Sequence, residues 1–436
     1  MTDHPLPQFA RDTWASLDGI WEVQLEPGDA WREIRVPFTF EAALSAIGTP
    51  GDVHERIRYR RSFRVPDEWK ERTLLRFGGV DWRARVSLDG RVLGKHEGGY
   101  AHFSFDAGRL ATGSEHELVV DVFDPADDAF GQPKGKQRGS GGIWYTRATG
   151  IWQPVWLEVD EPEVVGEPLP PRRVEARDGR ILVDGVPRRL AGVLDQAYWP
   201  DGVYTAPSDD ALRADVQAAH DFGFDLSRMH VKVADERWYD WCDRLGLLVA
   251  QDIPSPLRLD TAAARENFVR ELDEIVLQFR RHPSIVMWVV FNEDWGEPPE
   301  DFQRELVRHV RELDPTRLVI DASGWKHRGD TDLVDVHDYG DDLSKHERVW
   351  VGECGGVSLV VEGEEDFAYK HVTSGDALAA EYARLVGTLG DVSGFVWTQL
   401  TDVEGELNGL MTHDRRPKVE PAKIRAVNER FREERR

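Results

Sequence analysis

From Trp14 to about Val159, apolar and polar residues alternate with the period of two that half-buried strands show. Gly19-Ile-Trp-Glu-Val-Gln-Leu, Tyr59-Arg-Arg-Ser-Phe-Arg-Val and Ala84-Arg-Val-Ser-Leu carry the pattern, as do Glu117-Leu-Val-Val-Asp-Val-Phe and Trp152-Gln-Pro-Val-Trp-Leu-Glu-Val. Asp89-Gly90 predicts a two-residue hairpin turn into Arg91-Val-Leu-Gly. Short strands punctuated by Gly and Pro, almost without helical period, predict an antiparallel β-sandwich over residues 1–160. The Pro-rich stretch 161–173 reads as a linker.

From residue 174 to 436 the rhythm changes. Apolar runs near 189–195, 224–230, 247–252, 285–293, 317–322, 333–339, 349–353 and 394–400 predict strands, and most are separated by helical periodicity. Leu212, Val216 and Ala219 share one helix face, and Trp238, Trp241, Cys242 and Leu245 another. Longer helices follow from Phe268, Leu272, Ile275 and Phe279, and from Phe302, Leu306, Val310 and Leu313. Two more follow from Leu378, Tyr382 and Leu385, and from Ile424, Val427 and Phe431. Eight strands in this length and order predict a (β/α)8 TIM barrel, although the connections after the fifth and sixth strands are too short for full helices.

Composition narrows the function classes. With 55 Lys plus Arg against 80 Asp plus Glu, the net charge of −25 repels phosphate backbones and anionic membranes, so neither nucleic acid nor a membrane surface is expected as a partner. No apolar run reaches the roughly 18 to 20 residues of a membrane helix. Met1-Thr-Asp-His-Pro-Leu-Pro lacks the pattern of a secretory signal, and a cytoplasmic location is the expectation. The only two cysteines, Cys242 and Cys354, exclude a disulfide scaffold and a four-cysteine zinc site; they leave one bond between them open, and read first as reduced thiols. The 16 tryptophans hint at sugar stacking, since aromatic faces pack on the apolar faces of sugar rings.

Barrel enzymes place their chemistry at the C-terminal ends of strands. Two carboxylates stand there: Glu293 closes Ile285-Val-Met-Trp-Val-Val-Phe-Asn-Glu and Glu353 closes Val349-Trp-Val-Gly-Glu. Each alone is more often the mark of a solvated strand end than of catalysis. Together, on the fourth and seventh strands, they are the pair that glycosidic bond hydrolysis requires, one as proton donor and one as nucleophile or base.

The chain resembles glycoside hydrolase family 2 over nearly its whole length. In the first half, Ser16-Leu-Asp-Gly-Ile-Trp, Phe77-Gly-Gly-Val-Asp, Gly94-Lys-His-Glu-Gly-Gly-Tyr and Gly150-Ile-Trp-Gln-Pro-Val-Trp-Leu are similar to the family's sugar-binding jelly-roll domain. In the barrel, Tyr239-Asp-Trp-Cys-Asp-Arg-Leu-Gly, Arg281-His-Pro-Ser-Ile-Val-Met-Trp, Phe291-Asn-Glu-Asp-Trp-Gly and Gly352-Glu-Cys-Gly-Gly follow in family order. The resemblance implies Glu293 as acid/base, Glu353 as nucleophile, Asn292 on the sugar 2-hydroxyl and Arg228 orienting the nucleophile. It also implies a tyrosine touching the nucleophile, matched by Tyr339 beside His337, and a sugar-flooring tryptophan, matched by Trp397. His230 is a plausible subsite residue, and Asp195, which ends the first strand, could bind sugar hydroxyls.

The chain departs from the family in three respects. Where many members carry Arg-Thr-Ser-His-Tyr-Pro after the second or third strand, it reads Arg228-Met-His-Val-Lys-Val. The immunoglobulin-like sandwich usual between jelly roll and barrel has no room between Val159 and Arg173, and no clear Asn-Lys pair of the kind that marks glucuronidases is found. The missing sandwich would bare apolar surface, which leans toward a homo-oligomer. Asp402-Val-Glu-Gly-Glu-Leu-Asn fits no calcium loop and reads as a solvated acidic loop. Cys354 reads as packing. The expectation is a retaining exo-acting β-glycosidase without cofactor or metal, β-galactosidase-like. β-Glucuronidase, β-mannosidase and furanosidase specificities stay open, as does a catalytically silent carbohydrate-binding protein.

Overall fold

A computed structural model describes residues 4–127, 130–160, 169–170, 172–359 and 367–433. Most of the predicted linker, 161–168 and 171, lies outside the described residues. The alternating first part forms two antiparallel sheets. The first runs in the order Trp14–Ser16, Val155–Val159, Thr73–Phe77, Phe103–Gly108. The second runs Arg32–Val36, Gly19–Gln24, Arg56–Phe63, His116–Phe123, Arg83–Leu88, Arg91–Glu97. Along His116–Phe123, Leu118, Val120 and Val122 enter the core between the sheets, while Asp121 faces out to Arg58 and Arg85 on the flanking strands. The hairpin falls at Asp89-Gly90, where both residues take the positive φ that a tight primed turn requires.

The second part is the barrel. Its strands are Leu190–Asp195, Leu226–Met229, Leu248–Asp252, Ile285–Asn292, Leu318–Ser323, Asp335–Asp338, Trp350–Gly355 and Gly394–Thr398. All pair in parallel, in the order five-four-three-two-one-eight-seven-six. His327 spans the fifth and sixth strands, with Nδ1 2.8 Å from Asp321 Oδ1 and Nε2 2.7 Å from the Asp335 carbonyl. Helices Asp209–Asp221, Glu236–Leu245, Ala262–Phe279, Glu300–Leu313, Gly375–Thr388 and Pro421–Glu433 follow strands one to four, seven and eight; the short fifth and sixth connections carry none. Ser208, Thr261 and Ser374 cap three of these helices by accepting a backbone N–H, each contact stabilising its helix by about 1 kcal/mol.

One element was not anticipated. Val174–Arg177, Arg180–Val183 and Val186–Arg188 form a small antiparallel meander ahead of the first barrel strand. Its Val174, Ile181 and Val183 cluster with Leu190, Leu226 and Leu248 at the strands' N-terminal ends, plugging the barrel floor with apolar side chains.

The sandwich lies directly against the barrel. Gly99 N–H donates to Glu271 Oε1 at 3.1 Å and His102 N–H to Gln278 Oε1 at 3.0 Å. Thr205 Oγ1 donates to the Trp152 carbonyl at 2.6 Å. The loop after His116–Phe123 crosses to the C-terminal mouth of the barrel, where Gly135 N–H donates to the Ser255 carbonyl. A Cβ on Gly135 would stand 2.2 Å from the Val231 carbonyl oxygen, and φ is positive there, so only glycine lets the loop sit this close.

Candidate active site

Arg228 organises the mouth. It lies on the second strand, fully buried, and its guanidinium donates to groups on four other strands. Nε and Nη2 grip both Asp252 oxygens at 3.0 and 2.9 Å, and Nη2 also reaches Asn292 Oδ1 at 3.0 Å and Ser323 Oγ at 2.9 Å. Nη1 donates to the Gly352 carbonyl and to Glu353 Oε1, each at 3.1 Å. A buried cation is costly unless its hydrogen-bonding fork is filled, and here two carboxylates and three neutral acceptors fill it. His230 Nδ1 lies 2.9 Å from Asp252 Oδ2, so this aspartate anchors the guanidinium and an imidazole at once.

Glu353 ends the seventh strand and is 6 % exposed. Arg228 holds one oxygen; the other accepts from the Tyr339 hydroxyl at 2.5 Å, with His337 Nδ1 3.5 Å away. Burial pushes the carboxyl up, but the charges of His337, Arg228 and His230 and the Tyr339 hydrogen bond bring it down to about 2. Glu353 is therefore a carboxylate throughout the physiological range. Burial lowers the His337 pKa, yet Glu353 and Glu293 together raise it above its usual value.

Glu293 stands just past the fourth strand with φ at 55°, a left-handed backbone uncommon for a residue with a Cβ and a form of strain that recurs at functional sites. Its Oε1 accepts from His337 Nδ1 at 2.9 Å, and 22 % of its side chain meets solvent. Oxygens of Glu293 and Glu353 and a nitrogen of His337 lie within 4.8 Å of one another. A metal fits this trio poorly, because both Glu353 oxygens are already engaged and a guanidinium lies 3.1 Å from one of them.

Aromatic rings surround the carboxylates. Tyr369 stacks on Tyr339 at 3.8 Å, Trp325 meets His337 edge-on at 5.8 Å, and Trp144 from the sandwich packs on Trp295 at 5.0 Å. Trp325 and Tyr369 are about half exposed, so their faces are open to a ligand.

The sequence-derived candidates thus divide. Arg228, Asn292, Glu293, His337, Tyr339 and Glu353 form one connected network, with His230 attached through Asp252. Asp195 stands apart: its carboxylate accepts from Ala197 N–H and is raised to about 6 by burial and by Asp215. Trp397 is wholly buried, 4.4 Å from Tyr382 and over the α-carbon of Gly355, and offers no open face. The acidic loop is not solvated, contrary to expectation. Asp402 is buried with Lys418 Nζ at 2.8 Å, and Glu406 is buried with Lys136 Nζ at 3.1 Å. Two lysines supply the cations that the acidic run alone conceals. Sequence reasoning missed Asp252, Ser323 and Thr398; Asp252 was open to discovery, since it too ends an apolar strand. Cys242 and Cys354 are free and buried.

Comparison with known proteins agrees with this architecture. The family model "Glycosyl hydrolases family 2, TIM barrel domain" matches residues 174–340, and "Glycosyl hydrolase 2 galactose-binding domain-like" matches 21–142. The chain belongs to the glycosyl hydrolases of family 2. Among curated relatives, a β-galactosidase of Photobacterium profundum is 25% identical over 172 residues, 37% of this chain and 16% of that protein. A putative β-glucuronidase of Formosa agariphila is 31% identical over 143 residues, 31% of this chain and 13% of that one. The matched stretch thus spans about a sixth or less of these relatives. Among solved structures, a β-glucuronidase of an uncultured Clostridium sp. superposes with a TM-score of 0.77 at 17% identity, covering 97% of this chain and 98% of that one. Among the described residues, no helix is long and apolar enough to cross a membrane.

Proposed function

We propose that the protein is a retaining, exo-acting β-glycosidase. The observation that carries this reading is the pair of carboxyl groups in unequal settings. Glu353 is pinned and ionised between Arg228 and Tyr339, and Glu293 faces it from within 4.8 Å at the edge of solvent. Retaining enzymes hold their carboxyl groups about 5 to 5.5 Å apart, while inverting ones need roughly 6.5 to 9.5 Å to admit a water.

In the first step, Glu353 attacks the anomeric carbon as Glu293, in its acid form, passes a proton to the departing oxygen. The aglycone leaves as an alcohol and the sugar remains esterified to Glu353. Glu293, now a carboxylate, takes a proton from water; the oxygen attacks the same carbon, the ester breaks, and Glu353 is freed. His337 holds the Glu293 carboxyl in place, Arg228 and Tyr339 hold that of Glu353, and the family resemblance assigns the 2-hydroxyl to Asn292. The sandwich loop bearing Trp144 narrows the mouth, which favours chain ends over internal linkages. Curated relatives named for β-galactosidase support a neutral sugar, and structural neighbours named for β-glucuronidase and β-galacturonidase keep a uronic sugar open.

A panel of nitrophenyl β-glycosides and a 2-deoxy-2-fluoro glycosyl fluoride test this. At least one glycoside should turn over with the anomeric configuration kept, and the fluoro sugar should label the peptide containing Glu353. Inverted product, or a label on another residue, would overturn the assignment.

A further inference from the structure

A second polar cluster lies beside Glu353, and the cycle just described does not use it. The Tyr339 hydroxyl that binds Glu353 is 3.2 Å from Thr398 Oγ1, and the next residue is Gln399. Gln399 is completely buried, and no hydrogen bond of ordinary length and angle reaches its amide oxygen or its amide nitrogen. The Tyr145 hydroxyl, from the sandwich loop, lies beside that amide and donates to Glu406 Oε2 at 2.5 Å. Lys136 of the same loop donates to the same oxygen, and Asn408 Nδ2 donates to Glu406 Oε1 at 3.1 Å. Asn408 Oδ1 and the hydroxyl of Tyr198, whose ring lies 4.8 Å from that of Tyr145, are also buried without partners. The cluster shares the electrostatic surroundings of the reacting groups: Tyr369 feels Glu353, Glu293 and Glu406 together, and His230 feels Lys136.

Buried amide and hydroxyl groups without partners each cost about 1 to 3 kcal/mol, so four atoms of this kind in one cluster are placed for something that fills them. What they offer is a donor and acceptors, with no spare charge. The cluster's cation, Lys136, is already neutralised by Glu406. A sugar hydroxyl, which both donates and accepts, satisfies such a set. A sugar carboxylate would meet Glu406 and, in the cluster's described residues, only a lysine already paired with it.

We propose that Gln399, Asn408 and Tyr198 form a hydroxyl-reading subsite, completed across the domain boundary by Lys136 and Tyr145. In this reading the Lys136–Glu406 pair makes the enzyme select neutral β-glycopyranosides against uronides. The proposal rests on the glycosidase reading above.

The test compares kcat/KM for matched 4-nitrophenyl substrates: β-D-galactopyranoside and β-D-glucopyranoside against β-D-galacturonide and β-D-glucuronide. The wild-type enzyme should favour the neutral member of each pair by at least roughly a hundredfold, about what one hydrogen bond to a charged group can contribute. This measurement needs no variant. Glu406→Gln frees the Lys136 ammonium, so the uronide-to-neutral ratio should rise roughly tenfold to a hundredfold. Lys136→Met should lower neutral turnover without raising that ratio. Binding of a neutral iminosugar and its uronic counterpart, measured by calorimetry, should follow the same order. A wild-type preference for uronides, or a Glu406→Gln variant with an unchanged ratio, would overturn the subsite while the glycosidase reading stands. No turnover of any β-glycoside, with no covalent labelling, would bring down the parent reading itself.

Discussion

The two ends of the barrel solve opposite problems with the same eight strands. At the mouth, Arg228, Asp252, His230, His337 and Glu353 are buried charges or potential charges, each satisfied by partners on other strands. At the floor, Val174, Ile181 and Val183 of the meander meet Leu190, Leu226 and Trp350 with no polar atom required. At the surface of that end, Arg180, Arg188, Arg189, Arg348 and Arg432 line an open cavity of about 590 Å³ with Asp391. The difference shows where this fold spends stability and where it gains it. Buried ion networks return little net stability but hold geometry tightly, whereas apolar packing returns stability and holds no chemistry. Substitutions at the two ends should therefore separate activity from stability.

The largest effect is expected at Glu353. Glu353→Ala removes the attacking atom, so turnover should fall at least ~10⁴-fold for every leaving group. The melting temperature should move little, because Arg228 keeps Asp252, Asn292 and Ser323. Azide should rescue this variant and give the α-glycosyl azide. A variant that loses activity only because it has unfolded would erase the contrast between the two ends.

Glu293→Ala sharpens it within the mouth. Loss of a general acid costs typically 10²- to 10⁴-fold where the leaving group needs a proton, and dinitrophenolate does not. A dinitrophenyl glycoside should give a burst of phenolate and then slow turnover, with added azide accelerating release as the β-glycosyl azide. Equal losses for good and poor leaving groups, without burst or rescue, would remove Glu293 from this role.

At the floor, Ile181→Ala cuts a fully buried side chain from the plug. Unfolding free energy should drop by ~2 to 4 kcal/mol in urea titrations, with kcat and KM unchanged. A fall in kcat while stability held would show that floor and mouth are coupled.

The smallest effect is one of pH, at the joint between sandwich and barrel. His282 lies between Glu236 and Asp243, and Gln8 also donates to Asp243. Burial lowers the His282 pKa, but the hydrogen bonds to Asp243 and Glu236 raise it to about 9. Burial raises that of Glu236, but Arg281 and His282 bring it to about 2. A raised histidine adds stability that is full below its unfolded value near 6.5 and is lost as pH rises through about 9. A depressed glutamate adds stability that is present above 4.5 and is lost as pH falls toward about 2. Stability from this cluster should therefore be highest between these limits. His282→Gln should flatten the alkaline side, by about 3 kcal/mol at most, in denaturation series from pH 6 to 10. An unchanged alkaline limb would place the loss elsewhere.

Much of the architecture was legible because its signals are local. Period-two runs gave the sandwich strands, Asp89-Gly90 gave the hairpin, and Glu293 and Glu353 showed themselves by ending apolar runs. The meander was not legible, because Val186–Arg188 is exposed throughout and carries no alternation. The acidic loop was misread for a different reason. Its burial depends on Lys136 and Lys418, and Lys136 lies 270 residues from Glu406 in the chain. Trp397 shows a further limit: a motif can place a residue on the right strand without saying which way its ring faces.

The sandwich loop at the mouth has a consequence for how the chain is made. Lys136 and Tyr145 leave the ribosome 270 and 261 residues ahead of Glu406, roughly 15 to 50 s at ordinary rates of synthesis. Throughout that interval the sandwich can fold and the loop can meet Val231, Ser255 and Trp295 as they emerge, but its contacts with Glu406 must wait until the eighth strand has been made. The polar cluster around Glu406 is thus among the last parts of the fold to be completed. A nascent chain stopped between Glu353 and Glu406 would hold both glutamates and still lack the carboxylate on which Lys136 and Tyr145 close.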